Sequence, residues 1–218
     1  MNLSGHEVRA VLFDMDGTLV NAFTPIVHGL NQTLLWLGKE AMSEEAIKRH
    51  TGKGGSSIAE LFGDRRSEAL ETYVRFHDEK LLELEPMSGA VELLQWLKSR
   101  GIRTGIVTSK GQTRAEQQLT HLGWNGLIDT VYGLTPERRQ KPDPHTLLLA
   151  CEQLAIPAQQ TLMIGDGTAD MGAALAAGCL PIGLANSFSP AELRDQGAQF
   201  VFQSLPEVQQ WLHQQLTH

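Results

Sequence analysis

Val11-Leu12-Phe13-Asp14-Met15-Asp16-Gly17-Thr18 is an apolar run that ends in two carboxylates one residue apart. The apolar part reads as a buried strand. Burying one carboxylate at its mouth is costly and two costlier, so the pair points to a cation or a reacting group that offsets the charge. This marks a candidate active site. Outward from it, the strand-like run Val8 to Phe13 is followed by others at Ile102 to Thr108, Leu162 to Gly165, Leu180 to Leu184 and Gln199 to Phe202. Amphipathic helix patterns lie between most of them, the pattern of a parallel sheet covered on both faces. Ser88 to Arg100 carries Val91, Leu93, Leu94 and Leu97 on a helical stripe and is stopped by Gly101; Arg114 to Leu122 is stopped by Gly123 in the same way. The fold class is α/β.

The second strand begins only at Ile102, too far from the first for an ordinary crossover connection, so something is inserted between them. Thr24-Pro25 opens a helix reaching about Leu37, with Pro tolerated in its first turn. Ser43-Glu44-Glu45 starts another as a cap followed by first-turn acids. Gly52-Lys53-Gly54-Gly55 reads as a loop, Ser56 to Phe62 as a short helix, and Arg66 to Leu84 as a longer one ended by Pro86. The expected organisation is a core of residues 1–19 and 87–218 with an all-helical insert over 20–86.

Composition narrows the partners. At 218 residues, 41% hydrophobic, the chain exceeds a common domain and can bury a core. A net charge of -7 leaves no basic stripe for nucleic acid and no polybasic face for a membrane. Residues 1–7 lack the basic and apolar regions of a leader, and no apolar run approaches a membrane span. A cytoplasmic location is expected. Cys151 and Cys179 show no metal-ligand spacing and read as two reduced thiols, and the eight His lack HxH or HExxH spacing. The Gly-rich stretches at 52–55 and 165–172 fail the P-loop and dinucleotide patterns in spacing and context. Nothing in the sequence sets an oligomeric state.

Ligands in parallel α/β sheets bind at the carboxyl ends of strands. Those ends carry Asp14, Thr108-Ser109 and Gly165-Asp166, with Lys141-Pro142-Asp143-Pro144 in a connection. Carboxylates, a hydroxyl and a lysine converging there suit Mg²⁺-dependent phosphoryl transfer: oxygen ligands for a hard cation, donors for phosphate oxygens and a carboxylate nucleophile.

This motif set resembles that of the haloacid dehalogenase superfamily, in its phosphatase branch with a helical cap. DxDGT matches Asp14 to Thr18, the strand-end Thr matches Thr108, the third-motif lysine matches Lys141, and GDxxxD matches Gly165 to Asp170, in the family's order. The resemblance implies a Rossmann-like parallel-sheet core and a cap inserted after the first motif. It is closest to the phosphoglycolate phosphatase and β-phosphoglucomutase-like enzymes. Carried over, it makes Asp14 the nucleophile and a metal ligand, and Asp16 the acid and base whose backbone carbonyl binds the metal. Gly17 allows the tight turn and Thr18 caps it. Thr108, Ser109 and Lys141 would bind the transferring phosphoryl group, Asp166 would bind Mg²⁺ directly, and Asp170 would bind it through water or orient other ligands. In capped relatives a loop such as 52–55 faces the active site, so Lys53 or its backbone neighbours are expected to touch the substrate. The implied function is a Mg²⁺-dependent phosphatase acting on a small phosphorylated metabolite through an aspartyl phosphate. The alternatives are a phosphomutase of the β-phosphoglucomutase type and a non-catalytic phosphate-ligand-binding protein. Asp16 argues against the dehalogenase and phosphonoacetaldehyde hydrolase branches, which lack an Asp there. Phosphoglycolate, sugar phosphates, pyrophosphate and nucleoside monophosphates all stay open as substrates.

Overall fold

The computed structural model describes residues 7–216; residues 1–6, which carry most of the stretch read above for a leader, lie outside the described residues, as do 217–218. The chain runs through β1 (Ala10–Phe13), β2 (Val20–Asn21), α1 (Phe23–Trp36), α2 (Glu44–Gly52), α3 (Gly55–Glu60), α4 (Arg66–Asp78) and β3 (Glu85–Pro86). It continues with α5 (Ala90–Ser99), β4 (Arg103–Gly111), α6 (Gln112–His121), β5 (Thr130–Leu134), α7 (His145–Leu154) and β6 (Thr161–Gly165). Last come α8 (Thr168–Ala177), β7 (Leu180–Leu184), α9 (Pro190–Asp195), β8 (Phe200–Phe202) and α10 (Leu205–Gln215). No helix among the described residues is long and apolar enough to cross a membrane.

Six strands pair in parallel in the order β5, β4, β1, β6, β7, β8, a Rossmann-like sheet. β1 is central and buried at every position, with Leu12 opposite Gly105 on one side and Met163 on the other. Successive side chains of a strand point to opposite faces, and both faces are used. Val11 and Phe13 pack with Leu93, Leu94 and Leu97 of α5 and Leu212 of α10. Ala10 and Leu12 pack with Leu147 and Ala150 of α7 and Ala173 and Ala174 of α8. Each fully buried Leu or Phe of this kind contributes about 1.5–3 kcal/mol. The chain order reverses direction across the sheet at β1, so the crevice at the carboxyl ends of β1 and its neighbours is where a ligand site is expected.

Between β1 and β4 the helices α1 to α4 form their own core. Phe23, Ile26, Leu30 and Leu34 recur every three or four residues along α1 and pack with Ile47, Phe62 and Ala69. Gly29 lets α1 and α4 approach closely, since a Cβ there would stand 2.9 Å from the His77 nitrogen. The Ser43 hydroxyl accepts from the Ala46 N–H at 3.2 Å and caps α2 as the sequence suggests.

Three expectations need correcting. The insert is not all helical: Val20–Asn21 and Glu85–Pro86 pair antiparallel as a short ribbon at its base. The helix expected to reach Leu84 stops at Asp78, because the chain must turn back to the core. There the Gln118 side chain donates to the Leu81 carbonyl (2.8 Å) and the Met87 N–H donates to the Leu19 carbonyl (2.8 Å). The 52–55 loop is shorter than read, since Gly52 ends α2 and Gly55 begins α3. β5 was also absent from the sequence reading.

Candidate active site

The turn after β1 is shaped by one glycine. Gly17 has φ +82°, and a Cβ there would overlap the Asp166 carboxylate, so a side chain is excluded by both backbone and space. The Asp14 N–H donates to the Ile164 carbonyl at 2.9 Å, which fixes Asp14 at the end of β1 beside the end of β6. Thr18 does more than close the turn: it is buried, and its hydroxyl donates to Asp166 Oδ1 at 3.3 Å.

Lys141 joins the parts. Its ammonium donates to Asp14 Oδ1 (2.8 Å), Asp170 Oδ1 (2.6 Å) and the Val107 carbonyl (2.9 Å), which uses all three of its N–H bonds. Two adjacent carboxylates hold this ammonium above its ordinary range despite burial. Both Asp170 oxygens are in use as well, since its Oδ2 accepts from the Gly167 N–H at 2.9 Å. Asp166 is buried; Ser187 donates to its Oδ2 and Thr18 to its Oδ1. One carboxylate oxygen from each of Asp14, Asp166 and Asp170 lies within 4.8 Å of the other two. Burial, opposed by Lys141 and reinforced by Asp170, pushes the Asp14 carboxyl up to about 7. Burial and the charges of Asp14 and Asp170 hold Asp166 well above the usual carboxylate range. Such a cluster of hard oxygen donors, repelling one another away from water, fits a small divalent cation.

Asp16 points elsewhere. Lys110 donates to Asp16 Oδ1 (2.6 Å) and to Gln118 Oε1 (2.5 Å), so the Asp16 side chain stands apart from the three-carboxylate cluster. Thr108 is buried at the end of the β4 core pairing, and its hydroxyl accepts from the Lys110 N–H at 3.2 Å.

Above these groups, between the sheet end and the helical insert, lies a cavity of about 370 Å³. Asp14, Asp16, Thr108, Ser109, Lys141 and Asp170 all line it, while Asp166 sits behind them. Lys53 does not. It is exposed beyond the end of α2, whereas its glycine neighbours face the core: Gly52 lines the cavity, and a Cβ at Gly54 would stand 2.9 Å from the Lys141 carbonyl.

Three groups of residues escaped the sequence reading. Lys110 lies two residues beyond Thr108, close enough to have been weighed with it. Asn186 and Ser187 follow β7, a strand end with no charged residue to signal a site; Asn186 donates to the Gly17 carbonyl (2.9 Å) and Ser187 to Asp166. The cavity-lining face of α4 carried no motif at all.

The family model described as haloacid dehalogenase-like hydrolase matches residues 11–183. A phosphoglycolate phosphatase of Rhodospirillum rubrum is 32% identical over 218 residues, covering 94% of this chain and 90% of that protein. One from Colwellia psychrerythraea is 31% identical over 216 residues, covering 93% and 96%. Among solved structures, a haloacid dehalogenase-like family hydrolase from Streptococcus pneumoniae superposes with a TM-score of 0.84 at 25% identity, covering 94% of this chain and 98% of its own.

Proposed function

The chain belongs to the haloacid dehalogenase-like hydrolase family and is a hydrolase of phosphoric monoesters, and from that premise we propose that it releases phosphate from a small phosphorylated metabolite with Mg²⁺ and a phosphoaspartate at Asp14. One observation carries the proposal: Lys141 grips Asp14 and Asp170 at 2.8 and 2.6 Å while Asp166 faces them under an open cavity. A carboxylate held by a fixed ammonium at a cavity floor is an oriented nucleophile. The phosphoglycolate phosphatase relatives make phosphoglycolate the first substrate to try.

In the proposed reaction an Asp14 oxygen attacks phosphorus, the P–O bond to the alcohol breaks, and the phosphoryl group is left on Asp14. Asp16 gives its proton to the departing alkoxide. It then takes one from the water that attacks the phosphoaspartate, which returns Asp14 and frees phosphate. Because Lys110 occupies Asp16 Oδ1, Oδ2 is the oxygen that carries this proton. Thr108, Ser109 and Lys141 would bind the phosphoryl oxygens. Asp14, Asp166 and the Asp16 carbonyl would hold Mg²⁺, with Asp170 steering Lys141. When bound, the ion supplies positive charge against the phosphoryl oxygens. The proposal takes residues 1–19 and 87–218 as the core and 20–86 as a cap that closes over the substrate, flexing at the β2–β3 ribbon.

Phosphate release from phosphoglycolate and a panel of sugar and nucleoside phosphates, with Mg²⁺ and with chelator, tests this. Release should need Mg²⁺, and Asp166→Asn should raise the Mg²⁺ concentration for half-maximal rate by about tenfold or more. Full activity in chelator would overturn the metal assignment.

A further inference from the structure

The cavity has two unlike walls. The core wall is charged, but its cations are all engaged: Lys141 by Asp14 and Asp170, Lys110 by Asp16 and Gln118, and Arg114 by a two-pronged pair with Asp78 (2.6 and 2.7 Å). The facing wall is one side of α4, where Arg66, Leu70, Tyr73, Val74 and His77 recur at helical spacing. Leu70 is 37% exposed, a large apolar side chain open to the cavity, and Ile26 and Ile58 extend the apolar lining beside it. Burial holds His77 below its ordinary basicity. Arg66 stands at the far end of this wall and has no ion pair or hydrogen bond among the described residues.

These dimensions do not suit a two-carbon acid. From phosphorus to carboxylate oxygen phosphoglycolate spans at most about 6 Å, judged from ordinary bond lengths. Along α4, His77 and Arg66 are separated by about 16 Å at about 1.5 Å per residue. With its phosphoryl group at Asp14, such a substrate would leave much of the length of α4 unfilled and the apolar side chains along it facing water. An apolar group placed there would instead remove Leu70, Val74, Ile26 and Ile58 from water.

We propose that the preferred substrate is a phosphomonoester with an apolar body long enough to lie along α4, rather than a two-carbon phosphorylated acid. The proposal rests on the phosphatase reading of the same site. The test is kcat/KM for ethyl, butyl and hexyl phosphate beside phosphoglycolate, all with Mg²⁺; the three alkyl esters have leaving groups of nearly equal basicity, so the series reports binding. Each methylene buried is worth about fourfold. Hexyl phosphate should exceed ethyl phosphate by at least about tenfold, mainly through KM, and should exceed phosphoglycolate. Leu70→Asn should cut kcat/KM for hexyl phosphate more than for ethyl phosphate, again through KM. A flat alkyl series with phosphoglycolate turned over best would overturn this proposal and leave the phosphatase reading standing. No phosphate from any ester would overturn both.

Discussion

His77 lies 3% exposed between the helical insert and the groups of the candidate site, facing Asp78, Lys110, Asp16 and the ring of Tyr73. Burial first, and then the Lys110 ammonium, hold its basicity below the ordinary value of 6.5. The unfolded chain therefore binds a proton that the native state refuses, and stability falls as pH drops below about 6.5. His77→Gln should remove that contribution. In urea melts at several pH values, the stability difference between wild type and His77→Gln should change with pH below 6.5 by up to about 1.4 kcal/mol per pH unit and flatten above it. A difference constant across pH 5 to 8 would show that His77 protonates equally in both states. At this scale the sequence was legible wherever a residue belonged to a motif: the chain brings Asp14, Thr108, Lys141, Asp166 and Asp170 to one rim. It was illegible where the role depends on a partner distant in sequence. Lys110 looks like any lysine until Asp16, 94 positions away, is beside it. Lys53 looked like a ligand because it is the cation of a Gly-rich stretch, yet only its glycines turn inward.

Between elements, among the described residues, two ion pairs cross from the helical insert to the core. Arg49 of α2 pairs with Glu192 of α9 at 2.6 Å and lies over the Phe188 ring, and Arg114 of α6 clasps Asp78 at the end of α4. The Arg49 pair is exposed, so it adds little to global stability. Under the proposed cap closure, its place across the seam between insert and core would favour the closed arrangement. Arg49→Ala should leave Tm almost unchanged while raising KM severalfold with a smaller change in kcat, measured by steady-state kinetics beside a thermal melt. A large Tm loss, or kcat falling while KM holds, would contradict this. Helices closed by glycine, such as α5 before Gly101 and α6 before Gly123, could be read from the sequence because the stop signal is local. β5 could not: it is a half-buried edge strand paired only with β4, and its short run Thr130-Val131-Tyr132-Gly133-Leu134 lacks a strong apolar pattern. The end of α4 was hidden for a similar reason, since no breaker precedes Pro86 and the stop comes from contacts with Gln118 and Leu19.

For the whole molecule, the parallel sheet explains why motifs spread over residues 14–170 meet at all: β1, β4 and β6 lie side by side and point their carboxyl ends the same way. That much follows from strand runs and the rule for α/β sheets. How the insert docks does not, because its helices carry ordinary amphipathic patterns and their inward faces depend on a seam built from single pairs. The proposed phosphoryl transfer depends on Asp14 as the nucleophile that accepts the phosphoryl group. The most direct measurement is rapid acid quench of the enzyme with Mg²⁺ and a turned-over phosphomonoester, followed by intact mass and peptide mapping. The predicted result is one added phosphoryl group, mapped to Asp14, that appears before steady state and is absent in Asp14→Asn, with turnover in that variant abolished. Turnover by Asp14→Asn at the wild-type rate, or a phosphoryl group trapped on another residue, would contradict it.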